Sequence, residues 1–180
     1  MLIPTFTIAM AILTEMFTAT PSLSGFSAAT KILLAVGAQT PARDFLLAQK
    51  TREMLMQHLA HLWQMHPGML IVTPTTPNAG WPIGGGDLKN GVSDANTSVR
   101  TMTFVWLANF TGCPAISIPV GLVKGGDGKV PVGLMAMGEW GDEEELMEWG
   151  REGEEWAWGE GRMERPENWV DVLGLAKGDV

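Results

Sequence analysis

The sequence predicts an α/β fold, in which amphipathic helices pack against a β-sheet. The stretch 41–65 repeats apolar residues at helical spacing. Two shorter apolar runs, Ala115–Val120 and Val130–Met137, flank a glycine-rich turn at 124–129 and suit a pair of strands. The chain has 180 residues, 46% of them hydrophobic and 18% charged, which is enough for one domain with a sizeable core. Such a mixture of helices and strands indicates the α/β class or the related α+β class.

The first helix is predicted over residues 5–19, which are mostly apolar. No basic residue precedes this run and Glu15 interrupts it, so it does not fit a secretory signal. A membrane-spanning helix needs about 20 apolar residues, more than this run supplies. We therefore expect a buried helix, followed by a second helix over 27–36 that ends at Gly37. The apolar residues that share one face of the first helix are Ile8, Ile12, Leu13 and Met16.

The longest helix is predicted over 41–65. Thr40 is expected to cap its first amide groups, and Pro41 suits the first helical position. Asp44 favours the positive end of the helix dipole, and Pro67-Gly68 ends the helix. The side chains expected to face the core recur at helical spacing: Ala48, Leu55, Leu59 and Leu62.

A buried strand is predicted over 69–73. The prolines of the Thr-Pro-Thr-Thr-Pro segment that follows are expected to end it, because proline cannot donate an amide hydrogen to a strand ladder. Residues 74–99 are rich in Gly, Pro, Asn and Ser and predict a long surface loop. Loops of this length are usually functional or disordered. A buried helix is predicted over 99–110.

The two later apolar runs predict a β-hairpin, and a final helix is predicted over 142–157. Both faces of the first hairpin strand are largely apolar, which is typical of an inner strand covered on both sides. One face carries Ile116, Ile118 and Val120, and the other carries Ala115, Ser117 and Pro119. The stripe expected on the final helix consists of Leu146, Trp149, Gly153 and Trp156.

The acidic charge is confined to one segment. Residues 139–167 hold 12 acidic residues and three arginines, whereas the rest of the chain holds 8 acidic and 9 basic residues. No basic stripe is present that could neutralise phosphates, so we expect no nucleic-acid partner. The acidic run is expected to be the solvated side of a helix whose tryptophans face the core. The alternative is that this acidic, Trp-rich segment is an interaction surface.

Residues 104–138 contain an N-x-x-G-x-P-A-x-S-x-P segment followed by a P-V-G strand, and they resemble the C-terminal signature of the amidase-signature hydrolases. Residues 42–53 and 69–77 are similar to a further helix and a strand-turn of that family. Residues 165–171 resemble an extension of fungal-type members. The residues that match the signature are Asn109, Gly112, Pro114, Ala115, Ser117, Pro119, Pro131, Val132 and Gly133.

This resemblance implies that residues 1–157 are the C-terminal portion of an amidase-signature domain and that 158–180 form a C-terminal extension. The complete fold would be a mixed β-sheet core flanked by helices, so the fold of this chain is expected to be incomplete. Members cleave carboxamide C–N bonds with a nucleophilic serine, a second serine on a cis peptide and a lysine base. Those groups lie in a lysine segment and a Gly-Gly-Ser-Ser-Gly-Gly-like run, and this sequence contains neither.

No catalytic residue can therefore be assigned here, and we expect the chain to be inactive alone. The alternative is a non-catalytic interaction or regulatory half-domain that acts through its acidic, Trp-rich C-terminal segment. Thr75 and Thr76 follow a predicted inner strand, where ligand crevices of α/β sheets tend to lie, so we expect them to border the substrate channel of the complete enzyme. Ser27 and Lys31 could share a helix face, but nothing beside them supplies an oxyanion site. Ser117 is expected to have a packing role in the core.

No metal or cofactor is expected, because the three histidines, His58, His61 and His66, lack convergent further ligands. Cys113 is expected to be a small buried residue. A single cysteine fits a reducing compartment, and the expected location is the cytoplasm. The expected partner is a small-molecule amide substrate, and only in the complete enzyme; no membrane partner is expected, and a homo-oligomer is left open.

Overall fold

The computed structural model of the chain describes residues 24–87, 94–125, 128–159 and 161–164, together with the single residues 170 and 176. The helix predicted over 5–19 lies outside these ranges, as does most of 165–171. The five helices described are α1 (Ala28–Ala38), α2 (Ala42–Met65), α3 (Ala95–Thr101), α4 (Trp106–Thr111) and α5 (Glu143–Gly159). The three strands are β1 (Ile71–Pro74), β2 (Ala115–Gly125) and β3 (Gly128–Met137). None of the helices described is long and apolar enough to cross a membrane.

The two N-terminal helices lie close to their predicted positions. Ser27 caps α1, and its Oγ accepts a hydrogen bond from the Thr30 amide at 3.2 Å. The prediction that Thr40 caps α2 is wrong, because Pro41 occupies the N-cap position itself with an extended backbone. The carbonyl oxygen of Pro41 accepts from the Asp44 amide at 2.9 Å, so the helix begins one residue later than predicted.

The three strands form an antiparallel sheet in the order β1-β3-β2. The predicted hairpin is confirmed as β2 and β3, and both strands are longer than the sequence pattern indicated. A register shift between Pro119 and Gly121 marks a bulge in β2. The combination of helices with a small sheet agrees with the predicted fold class.

The strand ladder continues through Pro74, which corrects the expectation that the prolines end the strand earlier. Pro74 lies opposite Leu134, and the next residue, Thr75, donates its amide to the carbonyl oxygen of Gly133 at 2.9 Å. Backbone groups in an antiparallel strand point alternately toward and away from the partner. The nitrogen of Pro74 therefore points away from β3, and its missing hydrogen removes no bond of the ladder.

One face of the sheet packs against α2 and α4. Trp63 of α2 is 1% exposed, and its Nε1 donates to the carbonyl oxygen of Met69 at 2.7 Å, which fixes the chain entering β1. The Trp140 ring meets Trp63 edge-on, with centroids 5.6 Å apart. The buried residues of this cluster are Leu59, Trp63, Ala108, Cys113 and Met137.

The opposite face of the sheet packs against α5 through glycines. A Cβ added at Gly150 would lie 2.6 Å from Ile116 Cδ1, and a Cβ added at Gly153 would clash with Ile118 Cδ1. The helix therefore lies closer to β2 than larger side chains would allow. The prediction that the tryptophans of this helix all face the core is wrong, because Trp156 is 44% exposed with the Arg162 guanidinium 4.2 Å from its ring centroid.

The segment between β1 and β2 differs from the predicted loop and single helix. Helix α3 begins at Ala95, inside the expected loop, because Asp94 caps it with a 2.7 Å bond from the Thr97 amide to Oδ1. Residues 102–105 form a turn that separates α3 from the buried helix α4. Helix α4 ends at Gly112, which adopts a left-handed conformation with φ of 77°.

Candidate functional site

Three residues from three strand regions meet on the face of the sheet that α5 does not cover. Thr75 follows β1 directly, Ser117 lies in β2, and Gly133 lies between them in the central strand β3. Thr75 Oγ1 and Ser117 Oγ are 2.5 Å apart, a hydrogen bond between residues 42 positions apart in the chain. The sheet thus carries a pair of hydroxyl groups bridging its two outer strands.

The bridge depends on the absence of a side chain at Gly133. A Cβ at this position would lie 2.7 Å from Thr75 Oγ1 and 3.2 Å from Ser117 Oγ, and 3.0 Å from the carbonyl oxygen of Ile118. The two hydroxyl groups therefore fill the space that a side chain would take. Gly133 was matched as part of the sequence signature, but its spatial role could not be predicted without knowing that Thr75 and Ser117 converge on it.

Thr73 adds a third hydroxyl group on the same face, one pleat from the bridge. It lies opposite Met135, which in turn lies opposite Ser117. Its Oγ1 is buried and forms no hydrogen bond with any described group. Leaving a buried hydroxyl unsatisfied costs about 1–3 kcal/mol. The sequence pattern predicts Thr73 only as the last residue of a strand.

The two threonines expected to border a substrate channel have different surroundings. Thr75 is half-buried and belongs to the hydroxyl bridge, whereas Thr76 is exposed, and its Oγ1 donates to the carbonyl oxygen of Asn78 at 2.7 Å. Thr76 thus stabilises the turn after β1. Both lie at the end of β1, but their role in a channel stays a prediction.

Ser117 does not have the core packing role predicted for it. In the described chain it is exposed, and its hydroxyl is engaged with Thr75 rather than surrounded by apolar side chains. The expectation of apolar cover on both faces of β2 thus holds only on the side of α5. Ser27, the other serine considered, has a structural role because its Oγ caps α1, while Lys31 is exposed.

The histidines and the cysteine lie outside the hydroxyl bridge. His58, His61 and His66 are all exposed. Over the described ranges, no group of three or more His, Cys, Asp or Glu side chains converges as a metal site would require. Cys113 is buried as predicted, and burial raises the pKa of its thiol, opposed by a hydrogen bond that Thr111 Oγ1 donates to the sulfur at 3.2 Å.

Part of the negative charge of helix α5 is paired with an arginine of the same helix. Arg151 bonds both carboxylate oxygens of Glu148 and also pairs with Glu155. These contacts lower the pKa of Glu148 and raise that of Arg151. Exposed pairs of this kind add little stability, and they account for the presence of an arginine among many acids.

Within the described residues, the hydroxyl bridge offers groups that can bind a polar ligand. A serine becomes nucleophilic when a neighbouring base accepts its proton, and here the described partner of Ser117 is another hydroxyl group. Two hydroxyl groups share one hydrogen in the bridge, which leaves the second hydrogen free to donate. The site can therefore hold or orient a polar group.

The sequence profile of the family described as Amidase matches residues 7–147. The chain is 34% identical over 145 residues to a fatty acid amide hydrolase of Medicago truncatula, a match that covers 81% of this chain and 23% of that protein. A glutamyl-tRNA(Gln) amidotransferase subunit of Thermus thermophilus is 35% identical over 78 residues, covering 43% of this chain and 14% of the other.

Solved structures of the same fold include a crystal structure of an amidase, with a TM-score of 0.56 and 22% identity, covering 88% of this chain and 33% of that one. A 6-aminohexanoate cyclic dimer hydrolase complexed with substrate gives a TM-score of 0.55 and 20% identity, covering 84% and 33%. The chain thus spans less than a quarter of these curated relatives and about a third of these structures. With the profile matching most of its length, the chain belongs to the amidase family, as a part of the amidase-signature fold.

Proposed function

We propose that this chain is the C-terminal part of an amidase-signature hydrolase that cleaves carboxamide C–N bonds, and that it supplies scaffold and channel-lining surface rather than the catalytic groups. One observation carries the proposal: the match covers 81% of the chain but only 23% of the amide hydrolase it resembles. Two further features support it. The sequence holds no Gly-Gly-Ser-Ser-Gly-Gly-like run, and the hydroxyl bridge has no described base beside it.

In this proposal the bond-breaking groups belong to polypeptide outside the chain. Amide hydrolysis needs an activated nucleophile, a proton-transfer group and donors for the developing oxyanion. The chain would contribute Thr75 and Thr76, at the end of β1, as the border of the channel through which the amide reaches those groups. The free hydrogen of the Thr75–Ser117 bridge would donate to a polar group lying in that channel.

The proposed substrate class is the carboxamides, with no finer choice among them. Relatives named for fatty acid amide hydrolysis and for hydrolysis of a 6-aminohexanoate cyclic dimer both support amide bonds as the target. The amidotransferase relative matches a smaller share of this chain, 43% against 81%, so it supports the proposal less.

The test begins with the purified 180-residue chain. Incubated with an acyl p-nitroanilide and, separately, with a fluorophosphonate serine probe, it should release no nitroaniline above buffer and take up no label. A chimera in which this chain replaces the matching 145 residues of the Medicago amide hydrolase should be active. The control is that hydrolase with the matching segment deleted, which should be inactive. Hydrolysis by the isolated chain, or a soluble folded chimera without activity, would contradict the proposal.

The same chimera tests the channel. Thr76→Val removes an exposed hydroxyl that bonds only within its own turn, whereas Thr75→Val removes one half of the bridge. If these residues border the channel, either change should raise KM more than it lowers kcat, because a channel contact binds the substrate and the transition state about equally. Lys31→Ala, at an exposed position on α1, is the matched surface control and should alter neither constant.

A further inference from the structure

The backbone hydrogen bonds of the sheet determine which groups remain unpaired at its edges. The Thr75 amide donates to the carbonyl oxygen of Gly133 at 2.9 Å, and the Gly138 amide donates to that of Pro114 at 3.1 Å. Since orientation alternates along an antiparallel strand, odd-numbered residues of β3 bond toward β1 and even-numbered residues toward β2. Both hydrogen bonds fit this alternation along β3. It therefore gives the direction of every backbone N–H and C=O group in β1.

In β1, the groups that point away from the sheet are those of Val72 and Pro74. Ile71 and Thr73 lie opposite Met137 and Met135 and point toward β3. Val72 therefore presents its N–H and C=O outward, and Pro74 presents its C=O. Among the strands described, none pairs with this side of β1, where the three-stranded sheet ends.

Natural sheet edges are protected by charged side chains, proline, short length, a bulge or a covering element. The outer edge of β1 has two of these features, because the strand has four residues and Pro74 offers no N–H. It carries no charged residue, and Val72 is 48% exposed. Next to it, the buried Oγ1 of Thr73 has no described partner. An apolar strand with an unpaired backbone and an orphaned hydroxyl has the character of an inner strand.

The opposite edge of the sheet is better protected. In β2 the alternation points Pro119 outward, where it offers no N–H, and a bulge follows it directly. A bulge bends a strand away from regular pairing, so β1 is the edge where the sheet can be extended with less obstruction.

We propose that the outer edge of β1 is the docking edge for an extended apolar strand from the remainder of the amidase polypeptide. That strand would pair with the N–H and C=O of Val72 and cover the Val72 side chain. The inference rests on the proposed function, in which the chain is part of a longer enzyme. The length is available, because the chain covers only 33% of the structures it resembles.

The first experiment uses the isolated chain and does not depend on that function. Residue-resolved hydrogen exchange should find the Val72 amide unprotected in the monomer and the Thr73 amide protected by β3. Val72→Pro should leave the circular dichroism spectrum unchanged, because it places a second proline in the outward orientation of Pro74. The matched change Thr73→Pro should disrupt the sheet, because it removes a bond to Met135. A protected Val72 amide in the monomer would overturn the proposal.

The second experiment mixes the chain with the Medicago hydrolase lacking its matching segment, and follows p-nitroanilide hydrolysis. The wild-type chain should restore activity, and Val72→Pro should reduce the restored rate at least about tenfold, the effect expected from losing one or two backbone hydrogen bonds. Restoration by both chains would overturn the docking edge while leaving the proposed function intact. Failure of the wild-type chain would count against the proposed function, and the exchange result would still decide whether the edge is free. A discrete dimer of the isolated chain with a protected Val72 amide would assign the edge to a second copy instead.

Discussion

Thr75 Oγ1 and Ser117 Oγ lie 2.5 Å apart and connect the two outer strand regions of the sheet across a central strand. Side chains on alternate strands of a sheet are separated by about 10 Å of backbone spacing, so they rarely bond directly. Here they do, because both hydroxyl groups lean over Gly133, where a Cβ would stand 2.7 Å from Thr75 Oγ1. This glycine therefore determines the polar surface of the candidate site.

Gly133→Ala should destabilise the chain by about 1–3 kcal/mol, because the methyl group overpacks the space held by the two hydroxyl groups and displaces their hydrogen bond. Urea denaturation followed by tryptophan fluorescence measures the loss. Gly128→Ala is the matched control in the same strand, since a Cβ there meets nothing within 4 Å. Equal stability of the two variants would show that the bridge does not depend on Gly133.

Gly153→Ala should also destabilise the chain, by about 1–3 kcal/mol, because the new methyl group would clash with Ile118 Cδ1. The gain in helix propensity, about 1 kcal/mol, offsets part of this cost. Ile118→Val removes the clashing atom, so the double variant should be more stable than the sum of the single effects predicts. Gly159→Ala, at an open position of the same helix, should be neutral or stabilising. Additivity in the double variant would mean that α5 can shift away from β2.

The contact between α5 and β2 limits which variants can test the acidic C-terminal segment as an interaction surface. Deletion of everything after Gly138 would remove Gly150 and Gly153 and expose the isoleucines of β2. Loss of a partner after such a deletion would therefore report unfolding as readily as lost contacts. Trp156→Ala, which changes an exposed side chain of α5, is the sharper variant for that purpose.

The periodic elements of this fold could be predicted from sequence, whereas their mutual orientation could not. The spacing of apolar residues located α2 and the hairpin, because burial of one face imposes a regular period. The continuation of β1 through Pro74 depends on which way one nitrogen points relative to β3. That direction is set by tertiary pairing, which the local sequence does not encode. The same holds for Trp156, because helical spacing puts it on one stripe with Gly153 but cannot show that only the glycine meets β2 while Trp156 stays 44% exposed.

Of the two residues of the hydroxyl bridge, the sequence singles out Thr75, because strand ends in α/β sheets tend to line crevices. Its role in a channel stays a prediction. Ser117 was interpreted as a core residue, since the apolar pattern of β2 suggested cover on both faces. Its pairing with Thr75 joins residues 42 positions apart and becomes visible only once the strand order β1-β3-β2 is known. The orphaned hydroxyl of Thr73 likewise has no signature in the sequence.

Cys113 should react slowly with a thiol reagent in the native chain. The side chain is buried, and burial raises the pKa of its thiol, so the thiolate that reacts is scarce at neutral pH. Labelling with a disulfide reagent should accelerate in urea in parallel with the loss of tryptophan fluorescence. Thr111→Val removes the hydrogen bond to the sulfur and should slow labelling in the native state further, because that bond favours the thiolate. Rapid labelling of the folded chain would contradict the buried position.

Helix α3 should lose its cap as the pH falls. The carboxylate of Asp94 accepts a bond from the Thr97 amide, and this bond holds the pKa of Asp94 below its usual value. A carboxyl group whose pKa is lower in the folded state stabilises that state above its unfolded pKa, about 3.9, and the contribution disappears as the pH falls through the folded pKa. An NMR titration of the Asp94 carboxyl carbon should therefore have its midpoint below about 3.9, and the Thr97 amide resonance should shift with it.

Asp94→Asn keeps a good N-cap without an ionisable group, so its Thr97 amide should be insensitive to pH over this range. Asp94→Ala should remove the cap at every pH. A pH-dependent Thr97 shift that persists in Asp94→Asn would show that another group caps α3.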